Sequence, residues 1–542
     1  MFKKAALCQK QLEDSDLQKD VTQLLNQIGK QDSQWNSLVF LRVIQQLTSY
    51  SLIDFDQQNN FYSIHPLVQH WSRTTINNNQ YYMQKCILTV IGLSISWKFK
   101  TEDYKYRQSL LQHITNCMIL LRPEDIDLLI ASKVALVFDE QGQWESAKAI
   151  KVMIMEKRKL LLGDEHPSTL TSMASLASTY RRQGHWKDAE ALDVVVMEKR
   201  KQLLGDEHPS TLKSMGNLAV TYENQGHWKE AEALEVIVME KRKQLLGDEH
   251  PDTLTSMANL AATYRNQGHW KEAEALQVEV IEKTKQLLGD EHPSTLTSMA
   301  HLAVTYWNQG HWKKAEALQV VVMEKSKQLL GDEHPDTLTS MANLATTYRS
   351  QGYWKKTEAL DVMIMEKRKL LLGDKHPSTL TSMGNLAVTY RDQGHWKEAE
   401  ALQVMVMEKT KQLLGHEHPD TLTSIANLAH TYRDQGHLEE AEELQVVVME
   451  KRKQLLGDEH PDTLTSMANL AVTYWDQGHL EKAEALEVLV MEKRKQVLGP
   501  EHSDTLESME SLTCTYRDQG RLEEAEALEM LVTEIHKTTN GL

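Results

Sequence analysis

The dipeptide His-Pro recurs at His166, His208, His250, His292, His334, His376, His418 and His460, always 42 residues apart; His502 keeps the interval with Ser503 in place of proline. A fixed period of this length confines the chain to an array of near-identical supersecondary units. Each is too small to bury its own apolar faces and must stack on its neighbours. The glycine of Q-G-H/Y-W/L keeps the same period, from Gly184 through Gly226 and Gly268 to Gly520. One step upstream, Gln141-Gly142-Gln143-Trp144 marks a degenerate copy that begins near Glu124. The expected array therefore has ten units, starting at 124, 166, 208, 250, 292, 334, 376, 418, 460 and 502 and filling residues 124 to 542. Its first and last copies are atypical, as terminal faces that meet water require.

The unit from His208 to Glu249 reads HPSTLKSMGNLAVTYENQGHWKEAEALEVIVMEKRKQLLGDE. With positions counted from its histidine, leucine at 5, methionine at 8, leucine at 11, alanine at 12 and tyrosine at 15 share one helical stripe. Serine or aspartate at 3 is the expected N-cap, and glycine at 19 stops this first helix in a left-handed conformation. A second helix is expected from about position 21 to 39, nearly 30 Å long at about 1.5 Å per residue. Its apolar residues fall at 24, 27, 31 and 38, and lysines and arginine at 34 to 36 suit the helix C-terminus. Glycine at 40 ends it. The fold class expected is all-α, a solenoid of helical hairpins.

Hydrophobic residues make up 41% of the chain and aromatics only 6%, which suits helices packed through Leu, Ala, Val and Met. A formal net charge of −17 repels phosphate backbones and anionic lipid, so neither nucleic acid nor membrane is the expected partner. Cys8, Cys86, Cys117 and Cys514 lie far apart, without the paired spacing of a disulfide framework or zinc site. The N-terminus holds no secretory signal, and the longest apolar stretch, Ile87 to Trp97, is too short and too interrupted to span a bilayer. A cytoplasmic location follows as the expectation.

N-L-A-x-x-Y-x-x-Q-G-x-W/L-x-x-A-E, as in Asn217 to Glu232, resembles the tetratricopeptide signature. The H-P-x-T-L opening and L-L-G ending resemble the kinesin light chain variety, over about three quarters of the chain. The resemblance implies a right-handed superhelix whose first helices line a concave, partner-binding surface. Valine or isoleucine (Val238, Val280, Val322, Ile364) stands late in the second helix where many family members carry alanine, so helix spacing is expected to be slightly wider there.

Residues 1 to 123 carry no repeat. Residues 16 to 30 and 34 to 50 read as helices, and Leu52 to Asp56 and Phe61 to His65 alternate like a short hairpin around Gln57 to Asn60. SYSLIDFDQQNNFYSIHPLVQHWSR resembles the winged-helix module closing the NB-ARC ATPase core of fungal NLR-like proteins. Tyr106 to Cys117 is similar to the connector those proteins place before their repeats. The expected division is a winged-helix-like module over 1–78, a helical connector over 79–123, and the solenoid. The family's phosphate-cradling G-x-x-x-x-G-K-[ST] string does not occur in the chain, so nucleotide hydrolysis is not expected. His65 matches a position the family places near nucleotide, but it reads first as a turn residue before a helix. The many histidines fall mostly at positions 1 and 20, without metal-ligand spacing, and His416-Glu417-His418 occurs in one repeat only. Carboxylates such as Glu230 and Glu232 read as a solvated helix face. No metal, cofactor or catalytic constellation is expected.

Positions 6, 9, 13, 16 and 17 of the first helix lie opposite the core stripe. Position 16 reads Arg181, Glu223, Arg265, Trp307, Arg349, Arg391, Arg433, Trp475 and Arg517, and position 13 includes His430. With Asn217, Asn259, Asn343 and Asn385 these form the expected groove for a protein or extended-peptide partner. Any preference for acidic segments is placed at Arg349, Arg391 and Arg433, since arginine pairs bidentately with carboxylates. Trp307 and Trp475 are the hot-spot anchors. The competing reading is drift at solvent-facing positions, because 28, 30 and 35 of the second helix also vary. The function expected is a non-enzymatic interaction module, the sensor arm of an NLR-like protein without its ATPase core. A kinesin-light-chain-like cargo adaptor is the alternative.

Overall fold

The computed structural model describes residues 30–31, 34–35, 53–56, 61–64, 80–97 and 101–540. It divides into two compact units, 1–179 and 180–542.

In the first unit two short antiparallel pairs precede the helices. β1 (Lys30–Gln31) pairs with β2 (Gln34–Trp35), and β3 (Ile53–Asp56) pairs with β4 (Phe61–Ile64), with Ile53 opposite Ile64. The second pair is the expected hairpin. The first replaces the facing ends of two expected helices at Lys30 and Gln34–Trp35. Between them the sequence Asp32-Ser33 favours a turn over a helix. The remainder of both expected helices, His65, and most of the winged-helix-like segment lie outside the described residues.

Four helices follow: α1 (Gln80–Ser94), α2 (Thr101–Met118), α3 (Leu128–Glu140) and α4 (Trp144–Leu162). Leu88, Ile91, Ile114, Ile130, Val134 and Ile150 join one buried cluster. Gly92 lets α1 approach α3 closely, since a Cβ there would lie 2.7 Å from Ile130. Arg107 is fully buried and holds Glu140 through Nε (2.5 Å) and Nη2 (2.9 Å), with Nη1 on the Ser96 carbonyl. Every guanidinium nitrogen is thereby satisfied, the condition for burying such a charge. α3 and α4 form the degenerate hairpin expected from Gln141-Gly142-Gln143-Trp144.

From His166 onward the hairpins are nearly uniform. In the 208 repeat the first helix is Pro209–Asn224 and the second Trp228–Leu246, the latter covering positions 21 to 39 as expected. Leu212, Met215, Leu218, Ala219, Ala231 and Val238 are buried, and equivalent residues recur down the array. The cap differs from expectation. His208 itself is the N-cap: its Nδ1 accepts the backbone N–H of Ser210 at 3.1 Å. Proline then occupies the first helical position, where no N–H is missed, so serine or aspartate at 3 is already inside the helix. Position-38 leucine, expected in the core, is exposed at Leu203, Leu245 and Leu287 and buried at Leu371.

Between the apolar layers runs a polar one. Threonine at 4 and 14 is fully buried in the 208 repeat (Thr211, Thr221), and Ser214 at 7 nearly so. Gln225 Nε2 donates to Glu190 of the preceding repeat at 2.8 Å, and Gln267 to Glu232 at 2.9 Å; the rung repeats to Gln519–Glu484 at 2.9 Å. Glu232 is thus an inter-repeat acceptor rather than part of a solvated face.

Repeats six apart also touch within the second unit. His418 Nε2 lies 2.9 Å from the Arg182 carbonyl, and His460 Nε2 lies 3.2 Å from that of Asn224. Repeats seven apart touch as well: Trp186 stacks on His460 and Trp228 on His502, with ring centroids 5.6 and 6.4 Å apart. Because Nδ1 of each capping histidine accepts a backbone N–H, Nε2 carries the proton and donates across this seam. Burial pushes the pKa of His418, His460 and His502 down, which keeps that tautomer neutral.

Candidate functional site

The row at position 16 lies at the seams between adjacent repeats, half-buried over most of its length. Arg181 Nη1 meets Asp193 at 2.5 Å and Thr221 of the next repeat at 3.0 Å. Arg391 contacts Asp392 at 3.0 Å and Asp434 at 3.5 Å; Arg433 contacts Asp434 at 3.5 Å and Asp476 at 3.6 Å. Arg517 pairs with Glu529, and Asp361 lies within electrostatic reach of Arg349. Arg265 is desolvated beside Glu223. Arg391 and Arg433, expected to favour acidic segments, therefore already face carboxylates of this chain. Position 17 supplies the carboxylates for Arg391 and Arg433, and position 28 those for Arg181 and Arg517.

The two tryptophans are held by their indole N–H groups. Trp307 donates to Ser350 Oγ at 2.9 Å and Trp475 to Asp518 Oδ2 at 2.7 Å, both in the following repeat. Trp475 keeps 38% of its surface exposed. His430 lies near Arg433, Arg391 and Arg452, and its pKa falls to about 4, first through burial and then through these cations.

Position 28 of the second helix, read from sequence as a drifting surface site, is buried: Asp193, Glu235, Gln277, Gln319, Asp361, Gln403, Gln445 and Glu487. It faces the position-14 threonine of the next repeat, as in Thr221 to Asp193 at 2.7 Å and Thr389 to Asp361 at 2.7 Å. Burial alone pushes the Asp193 and Asp361 carboxyls up. The 208 repeat alone places acids at both 16 and 28, so Thr263 Oγ1 lies 2.7 Å from Glu223 and 2.6 Å from Glu235. Position 35 is likewise buried, as in Arg368 and Arg452. The signal available in sequence was the restriction of 28 to Asp, Glu and Gln, which free drift would not keep.

Two cavities open along the first helices. One, about 500 Å³, is lined by Lys213, Gly216, Asn217, Glu235, Arg242 and Asn259 among others. The second, about 140 Å³, is lined by Thr381, Gly384, Asn385, Gln403, Thr410, Asp420, Ser424 and Asn427 among others. Three of the expected groove asparagines (Asn217, Asn259, Asn385) thus line cavities; Asn343 is half-buried without one described. Both cavities sit where glycine (Gly216, Gly384) replaces the alanine common at position 9. A Cβ at either would meet nothing within 4 Å.

The tetratricopeptide repeat model matches nine consecutive segments, 169–210, 211–252, 253–294, 295–336, 337–378, 379–420, 421–462, 463–504 and 505–542. The chain belongs to the tetratricopeptide repeat family. That membership makes the array a protein-interaction scaffold. Among solved structures, nearly identical repeats of a Podosopora anserina putative kinesin light chain are 32% identical, covering 38% of this chain and 97% of that one, with TM-score 0.34. BtubC from P. vanneervenii is 19% identical over 43% and 93% of the two chains, with TM-score 0.36. A Rap protein complexed with competence and sporulation factor is 12% identical over 68% and 98%, with TM-score 0.46. A search of curated proteins finds no match. Among the described residues no tetratricopeptide helix, and none of the preceding helices, is long and apolar enough to cross a membrane.

Proposed function

We propose that the array captures a protein or extended-peptide partner along the wall formed by its first helices, as the sensor arm of an NLR-like signalling protein. The observation that carries the binding reading is the pair of openings on this wall, both at glycines where an added Cβ would meet nothing within 4 Å. The partly exposed Trp475 supplies an aromatic anchor on the same helices. The NLR-like part rests on the resemblance of residues 49–73 to a winged-helix module.

The kinesin-light-chain-like cargo adaptor is the second reading, favoured by the 32% identity of the Podosopora repeats. Co-purification with a motor heavy chain would select it. For the binding wall itself, Trp307→Ala combined with Trp475→Ala should reduce partner recovery in an affinity pull-down at least tenfold, with the helical circular dichroism spectrum retained. Unchanged recovery would count against that wall.

A further inference from the structure

The arginine at position 35 is held alike at three junctions. Nη1 of Arg368, Arg452 and Arg494 donates to the position-3 carbonyl of the next repeat at 3.1, 3.1 and 2.8 Å. The same nitrogen reaches the position-7 serine hydroxyl at 3.0, 3.0 and 2.9 Å. Nη2 faces the position-6 threonine hydroxyl of its own repeat at 3.5, 3.1 and 3.2 Å. Together these oxygens form a cage for a planar guanidinium.

The 376 repeat keeps the cage and lacks the guanidinium. Position 35 is Thr410, and the three equivalent residues, Asp420, Ser424 and Thr381, all line the 140 Å³ cavity. That volume is close to the roughly 150 Å³ of an engineered cavity that admits benzene, so it is side-chain-sized. Thr284 and Ser326 also shorten position 35, but there position 9 is Ala258 and Ala300; only here does Gly384 remove the neighbouring Cβ as well. Gln403 in the cavity wall is 2% exposed, and neither its amide oxygen nor its nitrogen has a hydrogen-bond partner. Asp420 contributes an exposed carboxylate.

We propose that this cavity is a guanidinium subsite, which takes an arginine side chain of the partner where neighbouring repeats use their own. This rests on the partner-binding reading above. The acceptors here are the Asp420 carbonyl and carboxylate, the Thr381 hydroxyl, the Ser424 hydroxyl that Thr410 touches at 3.2 Å, and the orphaned Gln403 amide oxygen. They outnumber the one orphaned donor, the Gln403 amide nitrogen, which favours a multivalent donor over an acidic side chain. An ammonium group lacks the planar fork that reaches all of them at once. The chain's net charge of −17 favours approach of a cationic segment.

The test titrates the full chain with N-acetyl-arginine methylamide while following the methyl resonances of Leu380, Val406 and Leu414, which line the cavity. Saturable shifts are expected, with affinity at least tenfold above that for the citrulline and lysine analogues. Thr410→Arg, which restores the residue of the neighbouring repeats, should abolish the shifts while the circular dichroism spectrum stays helical. Gly384→Leu, closing the cavity from the other side, should do the same. Absent shifts, affinities for citrulline or lysine within tenfold of arginine, or unaltered binding by both variants would overturn the proposal. If the tryptophan variant loses the partner and Thr410→Arg retains it, the binding wall stands and the subsite falls. If the arginine probe binds and the tryptophan variant retains the partner, the subsite stands and the aromatic anchors fall.

Discussion

Glu235→Gln raises the stability of the protein at pH 8 by roughly 4 kcal/mol and leaves it unchanged at pH 4. The physical cause is a carboxyl 3% exposed, whose Oε1 has no partner and whose pKa burial pushes up to about 8. One hydroxyl proton on Thr263 cannot serve both Glu223 and Glu235, so one acid must hold its own. A folded-state pKa raised above the unfolded value contributes stability that is fully present below about pH 4.5. That contribution is lost as pH rises through the folded value. Glutamine, which the array itself uses at Gln277, Gln319, Gln403 and Gln445, keeps the acceptor for Thr263 and cannot ionise. Urea melts of the two proteins at pH 4 and pH 8 check it. Equal gains at both values would show that Glu235 is not the titrating group.

Gly184→Ala costs more than Gly310→Ala, although both glycines have nearly the same backbone, with φ of +73° and +74°. The left-handed conformation penalises an alanine by roughly 1–2 kcal/mol at each. At Gly310 the new methyl would meet nothing within 4 Å, whereas at Gly184 it would lie 2.5 Å from Pro419 Cδ, across the seam between repeats six apart. Overpacking adds roughly 1–3 kcal/mol unless the seam opens. Small-angle scattering separates the two responses, since opening enlarges the radius of gyration in the Gly184 variant only. Identical melting points and identical radii for the two variants would mean the seam does not form in solution.

The hairpin repeat was legible because its signals are local and repeated. His-Pro, the two glycines and the leucine stripe each fix one boundary or face, and the second helix fell where they placed it. What sequence could not give was the assignment of polar residues. Position 28 looked like surface drift because Asp, Glu and Gln are surface residues elsewhere; only stacking shows that it faces a buried threonine. The cap was misplaced by two residues because serine and aspartate are commoner caps than histidine, whose ring reaches the same N–H. The arginine row lies half-buried over most of its length. Its engagement with Asp193 depends on how the two helices of a hairpin pack, and that with Asp434 and Asp476 on inter-repeat spacing, which no single helix encodes. The guanidinium cage was hidden for a similar reason: its oxygens come from two repeats and include a backbone carbonyl.

The most direct test of partner capture along the first helices is site-specific photo-crosslinking. A benzophenone side chain would be placed singly at Lys213 and Thr339, exposed on first helices, and at Glu240 and Glu366, exposed on second helices. The account predicts partner adducts from Lys213 and Thr339, with little from the other two. Adducts of equal yield from all four positions, or only from Glu240 and Glu366, would contradict it.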